Sequence, residues 1–189
     1  MKKRFCIILL LLVSTQFFGQ KTKKDEGIVF GLKGGLNVSN FINSDIDKQS
    51  VRYGYHLGLV SEIIISPNTS FQPELVYSSQ GNIQNGVKYK YEYLNIPAVF
   101  RFYVKDNISV DAGPQMGFLV NSFNKTSEGN NNISDQNFFD FALCLGATYE
   151  FSNNLFLQSR YNLGLININD SDTFKYQNSV IQFSVGYYF

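Results

Sequence analysis

Ser179-Val-Ile-Gln-Phe-Ser-Val-Gly-Tyr-Tyr-Phe189 alternates with a period of two. Counting back from Phe189, one parity carries Phe189, Tyr187, Val185, Phe183 and Ile181. The other carries Tyr188, Gly186, Ser184, Gln182 and Val180, which are mostly small or polar. Successive side chains of a strand point to opposite faces, so this is one extended strand with two chemically different sides.

The same pattern runs through the chain. Eight segments show it: 27–39, 52–65, 70–80, 89–104, 107–120, 137–151, 155–168 and 179–189. Apart from the leader, no window sustains a helical apolar period. Three connections are tight and rich in turn formers: Ser66-Pro67-Asn68-Thr69, Lys105-Asp106 and Ser152-Asn153-Asn154. The other four, at 40–51, 81–88, 121–136 and 169–178, read as longer and polar, and the two kinds alternate. An antiparallel meander built this way gathers its tight turns at one end and its long loops at the other. Membrane barrels show that asymmetry.

One parity of each strand is apolar, for example Ile28, Phe30, Leu32 and Leu36, or Phe139, Phe141, Leu143 and Leu145. The opposite parity collects Lys33, Arg52, Glu62, Glu74, Arg101, Asp111, Asp140, Glu150 and Arg160, together with His56, the single histidine. It also carries most of the strand glycines. A barrel of about eight strands is barely wide enough inside for side chains. Glycines and near-balanced charges therefore belong in the lumen, and the apolar parity belongs toward lipid. A Lys or Arg facing lipid at mid-depth costs about 2–4 kcal/mol, so the two faces are not interchangeable. The rival arrangement is a soluble lipocalin-like carrier with the apolar parity lining a ligand pocket.

Composition agrees with a strand-rich exported protein. The 189 residues fit one domain; charged residues are 16% and aromatic residues 16%, with 18 Phe, 12 Tyr and no Trp. Residues 1–19 read as a cleavable signal peptide, with Lys2-Lys3-Arg4 before a short apolar core, 20–26 as a polar lead, and 27–189 as the barrel domain. Losing Lys2, Lys3 and Arg4 from 16 basic residues leaves 13 against 15 acidic, a net of −2, which points to no nucleic-acid partner. Cys144 is then the one remaining cysteine, so no internal disulfide is expected.

Several short runs carry a family resemblance: Gly31-Leu-Lys-Gly-Gly-Leu-Asn37, Phe71-Gln-Pro-Glu-Leu-Val-Tyr77, Tyr93-Leu-Asn-Ile-Pro97, Phe141-Ala-Leu-Cys-Leu-Gly-Ala147 and Arg160-Tyr-Asn-Leu-Gly164. Together they resemble the PorT-like outer-membrane β-barrels of Bacteroidetes-type bacteria, across essentially the whole chain from Gly27. The resemblance implies an all-β, eight-stranded, antiparallel up-and-down transmembrane barrel. It also implies an integral outer-membrane location with both termini periplasmic. In such barrels the closing strand serves as the signal read by the insertion machinery, here Phe183, Val185, Tyr187 and Phe189. The type member takes part in protein secretion, but no motif here carries that role over.

The expected sites are structural. Lys33, Glu62, Glu74, Arg101, Asp111, Asp140, Glu150 and Arg160 form a lumenal charge network, with Glu74–Arg101 as its first pair. The lumen is expected to be closed, with a narrow gated pore as the alternative. His56 is a possible general base, but the sequence shows neither nucleophile nor orienting acid beside it. No catalytic residue, cofactor or metal site is expected, since one His and one Cys give too few soft ligands. Pro73, Pro97 and Pro114 should each leave a bulge or an unpaired position, because proline removes a ladder donor. The expected girdle of interfacial aromatics is Tyr53, Tyr91, Phe102, Phe139, Phe151 and Tyr187. The expected partners are lipid, the insertion machinery and a protein at the long loops; the expected state is monomeric.

Overall fold

The structure is a computed structural model, described for residues 27–42, 49–126, 129–132, 136–168 and 176–189. The expected signal peptide and lead lie outside the described residues. Nine strands form: β1 (Ile28–Ile42), β2 (Gln49–Ser66), β3 (Thr69–Gln84), β4 (Val87–Lys105), β5 (Ile108–Thr126), β6 (Gly129–Asn132), β7 (Phe139–Glu150), β8 (Leu155–Gly164) and β9 (Gln177–Tyr188). All pair antiparallel in the order β4-β3-β2-β1-β9-β8-β7-β5, and a β4–β5 pairing closes the ring. The short β6 stands outside that ring, folded back on the end of β5. The barrel therefore has eight strands, and none of them is left as an open edge.

The closing strand sits where its alternation requires. Twelve residues of β9 pair with β1, from Gly31↔Tyr188 to Ile42↔Gln177. Phe189 N–H then donates to Phe30 O at 2.8 Å. The apolar parity faces outward: Leu57 is 62% exposed and Leu145 64%, whereas Lys33 and Arg101 are completely buried. This inverts a soluble fold and removes the lipocalin reading, because the polar parity lines the interior.

β1 to β5 are longer than expected, mainly at the loop end, whereas β7 and β8 stop short of their expected bounds of 137–151 and 155–168. The connection expected at 81–88 is not a long loop. β3 runs on to Gln84 and β4 begins at Val87, leaving only Asn85 and Gly86 between them. Both have positive φ, 49° and 82°, as a type I′ hairpin turn needs. The alternation of long and short connections thus fails at this one place, where a hairpin replaces a loop.

The prolines interrupt the ladder without shifting it. Pairing passes from Pro73↔Ala98 to Val76↔Asn95, and from Pro97↔Gln115 to Phe100↔Ala112, in unchanged register. β5 and β7 pair straight through Pro114↔Leu143. The register shifts lie elsewhere, between Val51 and His56, Ile64 and Ser66, Glu92 and Tyr93, and Tyr103 and Lys105. The expectation of unpaired positions holds at or beside Pro73, Pro97 and Pro114, and that of bulges does not.

Glycines shape the wall in two ways. At Gly35 a Cβ would lie 1.9 Å from the carbonyl oxygen of Phe183, so β1 and β9 could not come this close with any other residue there. At Gly186 it would lie 2.1 Å from the Phe156 ring, which occupies the lumenal space the glycine leaves. That ring packs on Tyr188 and Val60 near the turn end.

Candidate functional site

The lumen is the only part of the barrel where polar chemistry is concentrated among the described residues. It is filled in layers. Nearest the tight turns is a charge layer built around Arg101, which stands four residues before the end of β4 and is the cross-strand partner of Asp111. Its Nε donates to Asp111 Oδ1 at 2.9 Å, and Nη1 donates to Glu150 Oε1 at 3.1 Å and to the Tyr188 hydroxyl at 2.7 Å. Glu62 Oε2 lies 3.6 Å from Nη1. Tyr103 OH bridges Glu62 and Glu150, and Ser70 donates to Glu62 at 2.7 Å.

Deeper in, Arg160 grips Glu74 with both terminal nitrogens, Nη1 at 2.9 Å and Nη2 at 2.8 Å. Lys33 Nζ meets the same carboxylate at 2.7 Å and donates to Gln158 Oε1 at 2.8 Å. Asp111 joins the two halves. Its Oδ2 accepts from Gln158 and Thr148 and lies 3.8 Å from Arg160. Every charge here has a partner and hydrogen bonds beyond it. Without them, taking such ions out of water would cost several kcal/mol each.

Seven of the eight residues expected in the charge network therefore meet: Lys33, Glu62, Glu74, Arg101, Asp111, Glu150 and Arg160. The expected Glu74–Arg101 pair does not form. Arg101 is opposite Ser70 on β3, four residues along from Glu74, so Glu74 instead reaches across the lumen to Arg160 on β8. Asp140 also stands apart. Its recorded bond is from Asn178 Nδ2 to Oδ2 at 2.9 Å, and no ion pair includes it among the described residues.

Next comes His56, with both ring nitrogens engaged. Nδ1 lies 2.8 Å from Asn37 Oδ1, and Nε2 lies 2.8 Å from Ser184 Oγ. Asn37 is fixed in turn by Gln182, Ser78 and two backbone carbonyls. Since Gln182 Nε2 also donates to Asn37 Oδ1, that oxygen is an acceptor, so Nδ1 carries the proton and Nε2 accepts from Ser184. Sequence reading missed both partners because they lie 19 and 128 positions from His56. The order serine–histidine–asparagine is that of an acyl-transfer relay. All three are buried, and Gly35 holds the Ser184 backbone against β1, so no substrate can stand beside the hydroxyl. Here the arrangement satisfies polar groups and locks a tautomer.

The loop end is sealed by aromatic rings. Phe41, Tyr91, Tyr93 and Ile168 form one buried cluster, with Tyr89, Leu119 and Tyr176 packed against it. Phe41 stacks on Tyr176 at 5.7 Å and tilts against Tyr91 at 5.8 Å. Tyr91 was expected in the lipid-facing girdle. It is on the lumenal parity of β4 and only 3% exposed, so it belongs to the lid instead. Tyr53, Phe102, Phe139, Phe151 and Tyr187 do face outward.

Cys144 is buried and reduced, 3.7 Å from Gln115 Oε1. Groups of three or more His, Cys, Asp or Glu side chains able to hold a metal ion are absent among the described residues.

The family model described as "Outer membrane protein beta-barrel domain" matches residues 18–170. No curated protein matches the sequence. Among solved structures, the barrel is similar to Neisserial surface protein A, NspA, at a TM-score of 0.60 with 12% identity, covering 87% of this chain and 100% of that one. It is also similar to Ail, the attachment invasion locus protein of Yersinia pestis, at a TM-score of 0.55 with 14% identity, covering 87% and 99%. At such identities these likenesses speak for the fold alone.

Proposed function

The chain belongs to the outer membrane protein beta-barrel domain family, and on that premise we propose that it is a closed scaffold, anchored in the outer membrane and acting through its loop end. The observation that carries this reading is the filled lumen. A path through the barrel would have to displace Arg101, Arg160 and Lys33 from their carboxylates and then part Phe41, Tyr91, Tyr93 and Ile168. Water-filled channels are the property of barrels with about sixteen strands or more.

With the bore closed, what remains available is the rim. The β3–β4 hairpin carries its pairing out to Gln84↔Val87, and β5 and β6 extend the wall beside it. Both are strand-built projections on which a binding surface for a protein partner can be held. Termini in the periplasm, assembly read from Phe183, Val185, Tyr187 and Phe189, membership of the PorT-like group and an accessory part in secretion all belong to this same proposal. The support for them is the resemblance of the sequence runs.

Planar-bilayer recording tests the closed lumen. The purified protein should give no defined open-channel steps, and a reproducible single-channel conductance would overturn the scaffold in favour of a pore. Exchanging 82–89 for a bare two-residue turn tests the rim, since it should leave insertion intact and abolish capture of the partner.

A further inference from the structure

The outward face of the barrel is free of charge except in one place. Among the described strand residues beyond the tight turns, every charge on the outward parity is on β4 or β5: Lys88, Lys90 and Glu92, with Lys125 opposite Lys88 in the ladder. The three β4 residues share the parity of Leu94, Ile96, Ala98, Phe100 and Phe102, the apolar surface of that strand. A register shift brings β5 into step. Pairing passes from Tyr93↔Leu119 to Glu92↔Asn121, which leaves Val120 out and sets Phe123 opposite Lys90. Asn121 Nδ2 accordingly donates to Glu92 Oε2 at 3.2 Å, and the Lys90 ammonium lies 4.9 Å from the centre of the Phe123 ring.

The height of this patch follows from the apolar band below it. Outward residues of β4 are apolar from Leu94 to Val104. At the usual rise and a strand tilt of about 35–45°, that stretch covers about 26 Å along the membrane normal. Membrane barrels carry an apolar band of about 25 Å. Its limit toward the loops is the cross-strand row Tyr77↔Leu94↔Phe118↔Phe139, mostly aromatic, as suits the edge of the hydrocarbon. Glu92, Lys90 and Lys88 follow at about 5, 10 and 15 Å beyond that edge. A headgroup layer is about 5–8 Å deep. The glutamate is level with it, and the lysines overhang it on stems that can bend back.

The charges do not cancel. Lys90 pairs with Glu92, the one carboxylate of the patch. Lys88 is exposed and makes no hydrogen bond or ion pair among the described residues, and its cross-strand partner is a second lysine, Lys125. Like charges directly opposite each other destabilise a ladder, a cost that an anion between them removes.

We propose that this face binds the phosphate of an anionic lipid headgroup, held by Lys88 with Lys125 beside it in the ladder, while the acyl chains lie along Leu94 and Phe118. The site rests on the reading above, of a barrel anchored in the outer membrane with its loop end at the surface. Charge complementarity selects the occupant. Unneutralised lysines on the lipid-facing side, just beyond the hydrocarbon, are where lipid phosphates are met, and the attraction is strongest at low salt.

The test is titration of the purified barrel, folded in uncharged maltoside micelles, with phosphatidic acid or with phosphatidylcholine of the same chains. Retained lipid is counted by native mass spectrometry. The wild type should prefer phosphatidic acid by roughly twentyfold, about fivefold for each lysine left unneutralised. Lys88→Gln with Lys125→Gln should bring the ratio near one, and Glu92→Gln should raise it. Lys105→Gln, at the opposite end of the barrel, should leave it unchanged; an equal loss there would overturn the location. A wild type with no preference would overturn the lipid site and leave the lysines to an acidic protein surface. Full displacement by inorganic phosphate would overturn the lipid in favour of a soluble anion. Insertion into phosphatidylcholine vesicles, measured on the same samples, separates the two readings. Protein that inserts without preferring the anionic lipid overturns the site alone, and protein that fails to insert overturns the anchored barrel and the site together.

Discussion

The two ends of the lumen are built from different materials. Toward the tight turns, seven ionisable side chains are knitted together with Tyr103, Tyr188, Gln72, Gln158 and Thr148 until almost nothing polar is left over. Toward the long loops, neutral amides and one solitary carboxylate sit beneath a cap of rings, with several polar atoms unmatched. The first solution is rigid and demands exact registration of many strands. The second gains most of its stability from apolar burial, which is tolerant of direction. A barrel so arranged is tied at one end and merely packed at the other.

That contrast can be attacked from the charge layer first. Arg101→Leu removes the one cation facing Asp111, Glu62 and Glu150 together, and should cost about 3–5 kcal/mol. Urea unfolding in micelles measures it, and a loss below that of any lid variant would dissolve the distinction between the two ends. Tyr91→Ala opens the lid and should cost about 2–4 kcal/mol as a cavity, while leaving bilayer conductance at zero because the charge layer still blocks the bore.

A sharper probe is Gly186→Ala, whose methyl collides with the Phe156 ring. Overpacking there should cost about 1–3 kcal/mol, and a second change, Phe156→Leu, should restore part of it. Additive effects of the two changes would mean the ring has another place to go. The smallest effect expected is at the middle of the lumen. Ser184→Ala deletes one hydrogen bond to His56 and leaves Nε2 unpaired, for a loss of about 1 kcal/mol by the same unfolding measurement.

Faces and strand number were legible in the sequence because period-two alternation is a local property that any eight residues display. Register across the lumen is not local. Glu74 and Arg160 are 86 positions apart and on strands that are not neighbours, so parity marks both as lumenal without saying that they meet. The apparent candidate, Arg101, is on the adjacent strand but displaced along it. The lid was hidden for a different reason. Tyr91 stands near a strand end, where aromatic residues ordinarily mark the membrane interface, and only its lumenal parity distinguishes it. The β3–β4 hairpin was half visible, since Asn85-Gly86 announces the turn. Its flanking residues from Gln80 to Gln84 offer Ile83 as their one apolar side chain, which hides the strand that leads to it.

Strand β9 contributes to three separate levels of the interior. Asn178 bonds Asp140, Gln182 and Ser184 hold Asn37 and His56, and the Tyr188 hydroxyl reaches Arg101 and Gln72. It is also the strand of the barrel that follows all the others in the chain. A sheet that has formed its other seven strands in lipid, with β9 still free or displaced by two residues, would present each layer with a missing or misplaced partner. The outward face, uniformly apolar, would register no difference. The polar interior thus acts as a proofreader of closure: it distinguishes a correctly joined seam from a slipped one, where the lipid-facing surface cannot.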